Sequence, residues 1–147
     1  MVPRAIPASG AELDGVPEPI VVGTAHPGIF IASGTQGAIL NVANQVVNSA
    51  NPATAGDATV IFCSGLGAVS SAAATGQPPS AGMAGVPPVV IIGGVTAGLQ
   101  YAGVAPGFVG LYQVNVTVPS GVTPGGSVPV VLTQNGVASD AATIAVK

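Results

Sequence analysis

Basic residues are almost missing: the chain has one arginine, Arg4, and one lysine, Lys147. A nucleic-acid module needs Lys and Arg clusters to neutralise phosphates, and a membrane-surface helix needs a basic face, so both classes are excluded. Acids are scarce as well. Glu12, Asp14, Glu18, Asp57 and Asp140 bring the charged fraction to only 5%, against about 25% in an ordinary soluble domain. Between Glu18 and Asp140 stands a single charge, Asp57. Tryptophan is absent and aromatics amount to 3%, which poorly supplies a stacking platform for sugars or bases. A lone cysteine, Cys63, excludes an intramolecular disulfide, and its VIFC setting predicts a buried small hydrophobe instead of a reactive thiol. No stretch reaches the roughly 18 to 20 uninterrupted apolar residues of a membrane span, because Gly, Pro, Asn or Gln breaks each one, so no membrane insertion is expected. The N-terminal MVPRAIPASG lacks the apolar centre of a signal peptide; export would require a signal already removed or a chain cut from a longer one.

What is present is a β-forming material. A chain of 147 residues has room for one core, and its 22 Gly and 14 Pro punctuate a sequence whose mean hydropathy, +0.69, is too high for disorder. The helix formers Glu, Lys, Arg and Leu are few, and no segment shows apolar spacing at three and four residues, so helices should be nearly absent. Period two recurs instead. Tyr112, Val114, Val116 and Val118 share one face of a run while Gln113, Asn115 and Thr117 share the other. Val128, Val130 and Leu132 alternate in the same way, as do Ile144 and Val146. Gly93-Gly94 and Asn135-Gly136 stand where two-residue hairpin turns need positive φ. Further strands are expected at 19–23, 28–32, 37–43 and 57–63. The total of about eight or nine short strands, with turns every 8 to 12 residues, is the signature of a sandwich or barrel.

Two segments fall outside this pattern. Residues 1–18 carry Pro3, Pro7, Pro17 and four of the charges and read as an extended arm, leaving 19–147 as the sandwich domain. Residues 64–88 form a long loop of small residues, of the length that in a compact domain is functional or mobile. Cys63, His26 and Asp57 are the residue types of a thiol nucleophile, its base and its orienting acid, yet one of each is not a constellation. His26 in THPG reads as a turn residue before Pro, and Ser64 in CSGLG lacks the flanking glycine of a nucleophile elbow. The glycines at 65 and 67 turn the chain out of the strand ending at Cys63. One His and one Cys are too few for a zinc site, and the acids Glu12, Asp14 and Glu18 lie in the arm. Asn115-Val116-Thr117 matches a glycosylation sequon but sits mid-strand. Tyr101, Phe108 and Tyr112 are expected in the core or at corners. No catalytic residue, cofactor or metal is assigned.

The blocks PGIF at 27–30, NPATAGD at 51–57, SGLG at 64–67, VVIIGGVTAGLQYAGVAPGFVGLYQVNVTVPSGV at 89–122 and the closing SD and TIAVK give the chain a resemblance. From Pro27 onward it resembles a family of uncharacterised domains found at the C-termini of large secreted bacterial proteins, often after repeat or propeller regions. The resemblance implies an immunoglobulin-like antiparallel β-sandwich and secretion to the extracellular space or cell surface. It implies no chemistry. The chain stands here without a repeat or catalytic region before it, and on that ground a free-standing role is expected.

Soluble sheets blunt their edges with Lys, inward charges or bulges, and this sequence has no Lys before position 147. Its edges must therefore be covered or used. The expectation is a non-enzymatic extracellular structural subunit whose partner is itself, with Ile20, Val21 and Val22 as a strand added to a neighbour's sheet, making a filament. No small-molecule ligand is expected. The rival is a carbohydrate- or protein-binding accessory module acting through the 64–88 loop.

Overall fold

Where apolar and polar side chains alternate, one face of the strand packs inward and the other meets water. A computed structural model of the chain shows that consequence along most of its length. It describes residues 16–71, 73–80 and 82–147, together with the backbone pairing of two short strands nearer the N-terminus. Those two are β1 (Arg4–Ala5) and β2 (Leu13–Asp14), antiparallel, with Arg4 opposite Asp14. Both lie in the segment read as an extended arm, and the rest of 1–15 lies outside the described residues.

The described residues contain no helix. One sheet has five strands: β3 (Gly28–Ile29), β6 (Ile39–Asn41), β7 (Ala58–Ser64), β10 (Gly98–Val104) and β11 (Tyr112–Thr117). They run in the order β10-β11-β7-β3, with β6 also on β7, beside Thr59–Ile61. The other sheet has seven: β4 (Ile31–Ser33), β5 (Gln36–Gly37), β8 (Val89–Ile92), β9 (Val95–Thr96), β12 (Gly125–Gln134), β13 (Val137–Ala138) and β14 (Ala142–Val146). Their order is β4-β5-β14-β12-β8-β9, with β13 also on β12. The sheets pack face to face as a sandwich. Ile61, Cys63, Val114 and Val116 from the first meet Val90, Ile92, Val130, Leu132 and Ile144 from the second, none more than 2% exposed. Burying an aliphatic side chain of this size contributes roughly 1.5–3 kcal/mol, so this seam dominates the stability.

The strands number twelve in the two sheets, more than the eight or nine expected, because single apolar runs are divided where the chain passes from one sheet to the other. Ile29 pairs with Cys63 in the first sheet and Ile31, two residues on, pairs with Gly37 in the second. β5 to β6 and β9 to β10 cross in the same way. Nor is the sandwich wholly antiparallel: Gln36 pairs with Thr143, and Ala53 with Val146, in parallel. Both expected hairpins are formed, with φ of 57° and 82° at Gly93 and Gly94 and 49° and 77° at Asn135 and Gly136. Pro129, which has no N–H for a ladder, sits in β12 just past the irregularity between Gly125 and Val128.

The two ends of the sandwich differ in what they carry. At one, the Tyr112 end, β11 begins beside the end of β7, and Gln134 at the end of β12 bonds to the Leu66 carbonyl. At the other, the Thr117 end, β11 finishes beside Ala58, and the Gly93 turn lies so close to Val122 that a Cβ there would meet it at 2.8 Å.

Candidate functional site

Pro17 and Pro19 bias the chain toward extended backbone, and Ile20-Val21-Val22 has strand propensity. Even so, Pro19–Gly23 forms no strand with its own chain, contrary to the expectation of a first strand there. Its side chains face solvent: Ile20 is 80% exposed, Val21 100% and Val22 85%. The physical reason lies just downstream, where the chain is fixed at the Tyr112 end. The His26 N–H donates to the Gly65 carbonyl at 2.9 Å, and Ala25 is buried. Gly65 and Gly67, at φ of 73° and 83°, hold the backbone of residues 24–26 where their own Cβ atoms would stand; on Gly67 that atom would lie 2.7 Å from the Thr24 carbonyl oxygen. These glycines both turn the chain out of β7 and seat the incoming segment. Between the segment and Gly65, Gly67 and the Tyr112 ring is an open groove of about 610 Å³. The Tyr112 hydroxyl donates to the Gly67 carbonyl at 2.7 Å and closes its floor.

Three stretches of sheet edge are covered by short pieces of chain. Residues 45–47 lie along β6, with the Asn41 N–H donating to the Gln45 carbonyl and the Val47 N–H to the Ile39 carbonyl, both at 2.9 Å. Gln36 Nε2 ties this piece to β14 by donating to the Val47 and Thr143 carbonyls. Ala53 covers the end of β14. The 64–88 loop covers the Ala102–Val104 end of β10. Its two limbs pair at Val69 and Ala84, and the second lies along the outer side of β10, where the Ala84 N–H donates to the Ala102 carbonyl and the Val104 N–H to the Gly82 carbonyl.

That loop is clamped by a residue the sequence did not single out. Gln134, 1% exposed, donates from Nε2 to the Leu66 carbonyl at 3.1 Å and to the Val86 carbonyl at 2.9 Å, gripping the loop near both ends. Its Oε1 has no partner. A glutamine beside a hairpin turn reads as a surface residue, and only the buried phase of β12 marks it otherwise.

The candidate chemical residues do not converge. Cys63 is fully buried, and desolvation pushes its thiol up from 9.0 to about 12, which suppresses the thiolate. Asp57 stands at the opposite end of β7, about 20 Å away at 3.3 Å per residue, and accepts from the Thr54 N–H at 2.7 Å to close a turn. His26 is exposed at the Tyr112 end and shares a cleft of about 410 Å³ with Ser64, Thr35 and Asp140. No hydrogen bond joins these side chains to one another. Among the described residues no group of three or more His, Cys, Asp or Glu could hold a metal ion; the arm acid Glu12 lies outside them. Asn115 is half-buried on β11 and accepts from Gln113 Nε2. Tyr101 is half-buried, its hydroxyl donating to the Val104 carbonyl at 2.9 Å. Phe108, expected in the core or at a corner, is instead 60% exposed, because it rides the turn between β10 and β11 beyond the end of the inner faces. Comparison of the chain with models of known families, with curated proteins and with solved structures returns no match.

Proposed function

We propose that the chain is a non-enzymatic structural subunit that works outside the cell and assembles with copies of itself through strand addition by Ile20–Val22. One observation carries this reading: the segment is apolar, uncharged, exposed and, among the described residues, unpaired, while β6, the end of β14 and the Ala102–Val104 end of β10 are covered by their own chain. Strand addition gains affinity from backbone bonds that any sequence can make, and alternate side chains set the register. The surface suits it, since association need not strip water from ions. The order β3-β7-β11-β10 against β14-β12-β8 is that in which an immunoglobulin sandwich lays out strands A, B, E, D and G, F, C, which supports placing the domain in that class.

The test is the size of the full chain in solution. Sedimentation velocity and negative-stain microscopy should show concentration-dependent linear assemblies. Val22→Lys, at a position that is 85% exposed and so free to change without disturbing the core, should leave a folded monomer. Unchanged assembly of that variant would refute the role of the segment. A protein-binding accessory module is the second reading, favoured by Met83, Val86 and Phe108, which stand at least half exposed on or beside the 64–88 loop. It requires a monomeric parent chain.

A further inference from the structure

We infer that the acceptor for Ile20–Val22 is the outer edge of β9, centred on Thr96, of a second copy, so that subunits join head to tail into an open chain. This inference rests on the self-association reading and adds its partner site and polarity. The argument is by elimination among edges. β6, β10 and β14 are covered along the stretches described above. Among the described residues, uncovered edges remain on β3, β4, β9, β13 and the Gly98–Tyr101 stretch of β10; β3 and β13 line the cleft that contains Asp140, and the open stretch of β10 has a register irregularity between Leu99 and Tyr101. β4 has a register irregularity between Ile31 and Ser33, and it rims the cleft that contains Asp140; a bulge and a nearby charge are the devices that blunt an edge. β9 has neither. It is regular, and the nearest charges in sequence are Asp57 and Asp140.

The backbone of β9 is set to receive a strand. In a hairpin with a two-residue turn the bonded pairs alternate, beginning with the residues that flank the turn. Ile92 faces Val95, Ile91 faces Thr96, and the Ala97 N–H donates to the Val90 carbonyl at 2.8 Å. Thr96 is therefore the non-bonded position, and its N–H and C=O point away from β8. Among the described residues nothing pairs with them, and the side chain is exposed. A three-residue donor matches the length of Val95–Ala97, the uncovered run before the chain crosses to β10.

Polarity follows from position. The donor leaves the Tyr112 end, while β9 follows the Gly93–Gly94 turn at the Thr117 end. From Ala25, the last anchored residue, the chain back to Val22 reaches at most about 11 Å, about half the length of β7 at roughly 3.3 Å per residue. A subunit cannot serve its own β9. Donor and acceptor at opposite ends make a heterologous contact, which propagates without closing.

The test pairs two full-length variants. Val22→Lys spoils the donor only, and Thr96→Pro removes the outward N–H only, leaving the β8 ladder intact; Thr96→Lys, an edge charge without backbone change, covers the case in which the proline variant fails to fold. Each variant alone should sediment as a monomer. An equimolar mixture should give a two-subunit complex and nothing longer, because the good donor of one meets the good acceptor of the other. A Thr96 variant that assembles like the parent, or a mixture that forms either no complex or long chains, overturns the β9 assignment. A parent chain that stays monomeric at every concentration instead overturns the self-association reading beneath it.

Discussion

Replacing Gln134 with Met keeps the length of the side chain and deletes its amide. In the parent, the Leu66 carbonyl is buried and takes its hydrogen bond from Nε2, whereas the Val86 carbonyl is partly open to water. Leaving a buried acceptor without a donor costs about 1–3 kcal/mol, and the Val86 carbonyl, which water reaches, adds less. Against this, the orphaned Oε1 disappears and returns part of its own desolvation cost. The net expectation is a loss of about 2 kcal/mol, or about 4–8 °C in Tm for a chain of this size. The second half of the expectation is spatial. With both ends of the 64–88 loop released, amide exchange should accelerate at Ala84 and Val104, whose N–H groups donate across the loop and β10, but not at Val114 in the central strand β11. Urea denaturation and residue-resolved hydrogen exchange read the two halves separately. A loss below about 0.5 kcal/mol, or unchanged protection at Ala84 and Val104, would refute the clamp.

The alkaline limb of the stability curve should belong largely to Cys63. Its thiol titrates near 9.0 when unfolded and is pushed up to about 12 in the fold, so the stabilisation is fully present below pH 9 and is lost as pH rises toward 12. The slope is about 1.4 kcal/mol per pH unit, and urea midpoints measured between pH 9 and 11 should fall less in Cys63→Val than in the parent; equal slopes would count against it. Gly103→Ala should cost about 1–3 kcal/mol and raise exchange at Ala84, because the new Cβ meets the Gly82 carbonyl and stands 2.7 Å from the Tyr101 hydroxyl; a neutral outcome would show the loop free to shift. Gly65→Ala should lower Tm and expose the His26 amide to exchange, since its Cβ would occupy the place of the His26 carbonyl.

The strands β7, β11, β12 and β14 were legible in the sequence because one face of each is buried along most of its length, whereas β10 is exposed over its first half and was not legible in that way. β7, β11 and β14 alternate cleanly or nearly so, and both hairpin turns declare themselves by residues that tolerate positive φ. The breaks were not legible. At Phe30, between β3 and β4, nothing local records that the chain has changed partners from β7 to β5; sheet membership is a long-range property. Pro19–Gly23 reads as a strand because propensity is local, yet a strand needs an edge within reach. Phe108 illustrates the same limit from the other side, since an aromatic in a turn looks like core until the ends of the inner faces are known. In the site, the apolar segment and the inert setting of Cys63 could be read directly. The edge covers at 45–47 and 82–84 and the grip of Gln134 could not, because each joins residues many positions apart.

Between Glu18 and Asp140 the only charge is Asp57, and it accepts the Thr54 N–H within its own turn. Ionic strength acts on proteins by screening charge, and neither Ile20–Val22 nor β9 offers any to screen. On the proposed assembly, the donor–acceptor bond would have the same strength in fresh water as in brine up to the concentrations at which salts begin to act on apolar hydration itself, and kosmotropic salts would then tighten it. A material joined in the proposed way would take its tensile constancy from having almost nothing to titrate or to shield.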